Sequence, residues 1–93
     1  MTFDPARSYR CCPQVALRPE PFGALAYHFG TRRLSFLKTR QLVEVVRILD
    51  AYADVHGALD AAGVAEGQRA AYLSALAGLA ENGTIEERAD ETG

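Results

Sequence analysis

The sequence predicts an α+β domain of winged helix-turn-helix-like architecture, a three-stranded antiparallel sheet followed by three helices. Three observations predict it. Apolar residues alternate with period two as far as residue 38 and recur at three and four residues beyond it, the patterns of strands and then of helices. The pair Gly30-Thr31 separates two of the alternating runs, as in a hairpin. The chain has 93 residues, 48% hydrophobic and 24% charged, which fills one folded domain and is too apolar for a disordered one.

The first strand is expected over Gln14 to Arg18, with Val15 and Leu17 on one face. Pro19 and Pro21 should end it, because proline cannot donate to a sheet ladder. A second strand follows over Ala24 to Phe29 and a third over Arg32 to Leu37. A two-residue Gly30-Thr31 loop with glycine first suits a type II′ turn. That turn fixes the register: Phe29 faces Arg32, His28 faces Arg33, Tyr27 faces Leu34 and Leu25 faces Phe36. The large side chains of Leu25, Tyr27, Phe29, Leu34 and Phe36 then share one face, and Ala24, Ala26, His28, Arg33 and Ser35 share the other.

Thr39 is placed to cap a helix running to about Tyr52, with Leu42, Val45, Val46 and Leu49 as its buried stripe. Asp54 caps a short second helix, Val55 to Ala62, which Gly63 stops. The third helix spans about Glu66 to Glu81, with an apolar band of Tyr72, Leu73, Leu76, Leu79 and Ala80, and ends at Asn82-Gly83. Thr84-Ile85 follows as an extended piece that tucks back onto the core. The charged ends, 1–8 and 87–93, read as flexible tails on a domain of residues 9–86.

Composition excludes several functions. No apolar run approaches the roughly 20 residues of a membrane span, and residues 1–10 lack the apolar centre of a signal peptide. Charge is unevenly spread. Residues 1–40 hold seven Lys/Arg against Asp4 and Glu20, and residues 41–93 hold three Arg against ten Asp/Glu. The acidic second half would repel phosphate, and the third helix offers a DNA groove only Gln68 and Arg69. A winged-helix DNA-binding regulator is therefore the alternative reading, and no nucleic-acid partner is expected. Cys11 and Cys12 are adjacent, a poor geometry for a disulfide, which points to a reducing compartment, the cytoplasm. Their spacing does not suit zinc, and His28 and His56 lie far away. No metal or cofactor is expected. Ser8, Ser35 and Ser74 lie in no triad-like or G-x-S-x-G arrangement, and no glycine-rich phosphate loop is present. His28, on a strand opposite Arg33, reads as a surface or rim residue rather than a general base.

One feature suits binding. The third strand of a three-stranded meander has an open edge that accepts an extended peptide as an added strand. Here the edge is Arg32, Arg33, Leu34, Ser35, Phe36, Leu37 and Lys38, of which Arg33 or Lys38 would favour an acidic peptide. Tyr72, Leu73 and Leu76 of the third helix would receive its apolar side chains. Equally, these cations serve only to guard the edge against aggregation.

The run PQVALRPEPFGALAYHFG from Pro13 to Gly30, continued by TRRLSFLK to Lys38, closely resembles the mycofactocin biosynthesis chaperones. These belong to the PqqD-like peptide-recognition domains, also called RiPP recognition elements. The resemblance covers roughly residues 9–85; Cys11-Cys12 is not part of the pattern. It implies a non-catalytic adaptor with two partners, the mycofactocin precursor peptide and a radical SAM maturase. The leader of the precursor would bind as an extra strand antiparallel to the third strand. Arg33 to Leu37 would supply that ladder, and Tyr72, Leu73 and Leu76 would line the groove beside it.

Overall fold

A computed structural model describes residues 3–88. Five strands and three helices follow in order: β1 (Tyr9–Cys11), β2 (Val15–Glu20), β3 (Gly23–His28), β4 (Leu34–Leu37), α1 (Arg40–Ile48), α2 (Val55–Ala61), α3 (Arg69–Glu81) and β5 (Ile85–Glu87). A three-stranded antiparallel sheet in the order β2-β3-β4 precedes the three helices, the α+β order the periodicity predicts. A second, two-stranded ribbon pairs β1 with β5.

The hairpin register is the predicted one, with Tyr27 opposite Leu34 and Leu25 opposite Phe36. The turn that sets it is different. The N–H of Arg32 donates to the carbonyl of His28, and that of His28 donates to Arg33, so the loop has four residues, 29–32. Arg32, not Gly30, takes the left-handed conformation, at φ 62°. Both loops are centred between Gly30 and Thr31, so lengthening one into the other leaves the pairing unchanged.

Pro19 does not end the first predicted strand as expected: β2 runs through it to Glu20. Phe29 N–H donates to Gln14, and alternation along the β2-β3 ladder then points the backbone of Val15, Leu17 and Pro19 outward. Since β2 is an edge strand, the N–H that proline lacks would have faced solvent.

The side-chain partition of the hairpin holds, and the small side packs inward. Ala24, Ala26, His28, Ser35 and Leu37 are buried, whereas Phe29, Leu34 and Phe36 are exposed. A Cβ at Gly23 would lie 2.1 Å from the carbonyl oxygen of Leu37, so the backbones are already in close approach there. The interior is filled from the helical side by Leu42, Val45, Val46 and Leu49, with Val55, Leu59, Leu76 and Ile85.

Local caps set the helix ends. Leu42 N–H donates to Thr39 Oγ1 at 3.0 Å, and Gly57 N–H donates to Asp54 Oδ1 at 2.8 Å. Helix α1 stops at Ile48 and continues to Ala51 as a 3-10 turn; another such turn, Glu66–Gln68, precedes α3. Gly63 and Gly83 hold φ of 76° and 78°. At each, the glycine's own N–H and that of the next residue fold back onto the last carbonyls of the helix, the Schellman arrangement that glycine permits.

The segment predicted as an N-terminal tail makes contacts from Phe3 onward. The Phe3 ring packs against Tyr9 with centroids 4.9 Å apart, Pro5 accepts from Val55 N–H, and Arg7 pairs with Glu87. Glu87 closes the β1-β5 ribbon, and Arg88 N–H donates to Ser8. The rest of the predicted C-terminal tail, 89–93, lies outside the described residues.

Candidate functional site

Because β3 is flanked by β2 and β4, the outer edge of β4 has no strand partner among the described residues. The hydrogen bond from His28 to Arg33 fixes which groups are left over. Alternation directs Arg33, Ser35 and Leu37 to β3, and the N–H and C=O of Leu34 and Phe36 to the open side.

A groove of about 490 Å³ runs along that edge, with α3 as its far wall. The β4 side contributes Leu34, Ser35, Phe36 and Lys38, with Thr39 and Leu42 beyond them. The helix side contributes Ala71, Tyr72, Ala75, Gly78, Leu79 and Asn82. Small residues there leave room: a Cβ at Gly78 would meet nothing within 4 Å.

Polar groups tie both ends of the groove. At one, the Tyr72 hydroxyl donates to Gln41 Oε1 at 3.2 Å and shares a 3.0 Å hydrogen bond with Thr39. At the other, Arg33 donates to Asn82 Oδ1 at 3.2 Å, and Asn82 donates to Ser35, which is itself bonded to buried Thr84. Arg33 and Asn82 thus link β4 to the C-terminus of α3.

Of the predicted site residues, Leu34, Ser35, Phe36, Lys38 and Tyr72 meet at this groove, with Arg33 at its end. Leu37 and Leu76 do not, since both side chains are fully buried in the core. Leu73 is half-buried and packs against the core instead. The strongest apolar band of α3 marks the face that packs inward. The wall of the groove is the weaker stripe of Ala71, Ala75 and Gly78, offset by about one position, which its small residues hide from a search for large apolar ones.

The reactive side chains are occupied elsewhere. His28 is a buried residue rather than a rim residue: its Nδ1 accepts from Gly30 N–H at 3.0 Å and Thr31 N–H at 3.1 Å, stapling the hairpin loop. Its Nε2 lies 3.7 Å from Cys12 Sγ. Cys11 is half-buried, and burial together with neighbouring Cys12 pushes its thiol above the usual range, which lowers its nucleophilicity. Arg69, one of two groups a DNA reader would use, is paired with Asp60. Among the described residues, no group of three or more His, Cys, Asp or Glu is placed to hold a metal ion. No helix among them is long and apolar enough to cross a membrane.

Comparison with known proteins decides the family. The model of the MftB peptide chaperone family matches residues 8–86. The chain belongs to that family. Its MftB relatives include the peptide chaperone of Mycolicibacterium smegmatis, 58% identical over 85 residues, or 91% of this chain and 83% of that one. The MftB peptide chaperone of Mycobacterium ulcerans is 59% identical over 78 residues, covering 84% and 72%. That of Mycobacterium tuberculosis is 52% identical over 86 residues, covering 92% and 79%. No solved structure matches the chain. Membership of the MftB family makes this a peptide chaperone, and not an enzyme.

Proposed function

We propose that the chain captures the precursor peptide of mycofactocin biosynthesis by adding its leader as a fourth strand on β4 and delivers it, in the cytoplasm, to a radical SAM maturase. The observation that carries this reading is the groove itself: an unpaired strand edge facing a helix across about 490 Å³ of open space. A strand laid there finds the donors and acceptors of Leu34 and Phe36 already extended and unpaired. Backbone bonds of this kind give affinity with little demand on sequence, and the side-chain pockets give selectivity.

The groove also suggests what it selects. Its helix wall is small and apolar, so a bulky aliphatic or aromatic side chain of the peptide fits between α3 and β4. Lys38 at the edge and Arg33 at the end favour carboxylates beside it, chiefly by speeding encounter. The free cysteines Cys11 and Cys12 fit a reducing compartment.

Proline substitution separates this mode from any other. Leu34→Pro and Phe36→Pro each delete one outward N–H while sparing the bonds to β3. Both variants should fold and should bind labelled precursor peptide at least tenfold more weakly in a titration. Ser35→Pro, which removes an inward bond, should instead lose folded structure. Wild-type affinity in folded Leu34→Pro and Phe36→Pro proteins would rule out strand addition at this edge.

A further inference from the structure

The captured peptide occupies one edge of the sheet, yet the most apolar surface of the molecule lies around the corner from it. Phe29, Leu34, Phe36 and Phe22 are 61%, 57%, 59% and 43% exposed. With the half-buried Leu25 and Tyr27 they form one continuous band on the side of the sheet away from the helices. Register makes it continuous, since Leu25 sits opposite Phe36 and Tyr27 opposite Leu34. Ring contacts extend it at both ends: Phe22 lies 6.3 Å from Phe36, and Tyr27 meets Phe29 edge-on at 5.2 Å. Monomeric proteins rarely leave such a band uncovered.

The charges around the band are one-sided. Between Val15 and Lys38 the sequence carries Arg18, Arg32, Arg33 and Lys38, and the one carboxylate is Glu20. Glu20 is spent on Arg18, 3.5 Å away. Among the described residues, Arg32 and Lys38 form no ion pair, while Arg33 lies on the other face and bonds Asn82. The surface that complements this face is therefore apolar at its centre and acidic at its rim. A second copy of the chain is a poor fit, because a two-fold interface repeats the same patch on both sides and would set cation against cation.

We propose that this outer sheet face is a second docking surface, taken by an acidic-rimmed apolar patch on the enzyme that modifies the captured peptide. The identity of that partner rests on the peptide-capture reading above. Continuity supports it: Leu34 and Phe36 belong both to the band and to the peptide groove, so an enzyme seated here abuts the bound peptide. The aromatics would govern how long the complex lasts and the cations how fast it forms.

The test uses residues of the face that lie outside the groove. A Phe22→Ser/Phe29→Ser double variant and, separately, Arg18→Glu are titrated with labelled precursor peptide. Their binding to the radical SAM maturase is measured with and without that peptide, and sedimentation velocity follows their own association. Peptide affinity should stay within twofold of wild type. Maturase affinity should fall at least tenfold in the aromatic double variant, and Arg18→Glu should slow association at low salt with the difference fading at high salt. Maturase binding unchanged in both variants overturns the proposal. So does a wild-type homodimer that the double variant dissolves, which would give the face to a second copy. A wild-type protein that fails to bind the peptide sinks the capture reading alone, because the maturase arm without peptide still decides this one.

Discussion

The two faces of the β2-β3-β4 sheet invert the usual relation between size and burial. The inner face carries Ala24, Ala26, Ser35 and His28 and is buried; Leu37 is its one large apolar side chain from the hairpin. The outer face carries Leu25, Tyr27, Phe29, Leu34 and Phe36, three of them more than half exposed. Burying a phenylalanine is worth about 1.5–3 kcal/mol, and the outer face forgoes much of that. What the inner face gains is proximity. Small side chains let the helices come close enough for Leu42, Val45, Val46, Leu49 and Leu76 to fill the interior. Side-chain size on each face follows what approaches it, a helix of the same chain on one side and open solvent on the other.

Three substitutions would break or sharpen this contrast. The largest effect is expected inside. Leu37→Ala empties a fully buried site and should cost about 2–5 kcal/mol of unfolding free energy in a denaturant titration. Next comes Ala26→Leu, which adds bulk where only 1% of the residue is exposed; overpacking should cost about 1–3 kcal/mol. An Ala26→Leu protein as stable as wild type would show that the helices are not held close by small residues. Phe29→Ser, on the opposite face, should change stability by less than about 0.5 kcal/mol. A larger loss there would mean that the outer band contributes to folding as the inner face does.

Which residues share a face was legible in the sequence; which face turns inward was not. Strand alternation sorts Leu25, Tyr27, Phe29, Leu34 and Phe36 together without any knowledge of the rest of the chain. It carries no sign, and the sign here depends on helices that approach from the side of the alanines. The register was legible for a similar reason: it depends on the centre of the loop and not on its length. The β1-β5 ribbon was hidden because its strands have three residues each and lie 74 positions apart at the pairing of Cys11 with Ile85, with no single turn joining them. Thr84-Ile85 did show itself as an extended piece returning to the core. At the site, the free edge could be read from strand order and β-forming residues. Its opposite wall could not, because Ala75 and Gly78 leave space by having little side chain, and searching for Leu73 and Leu76 finds the core.

The β1-β5 ribbon has a consequence for how such a module is built into larger assemblies. Tyr9 and Glu87 are direct neighbours across it, so the first and last strands lie side by side, clasped by Arg10 on Glu86. A unit with its two ends side by side can be spliced into a surface turn of a host polypeptide without pulling either end loose.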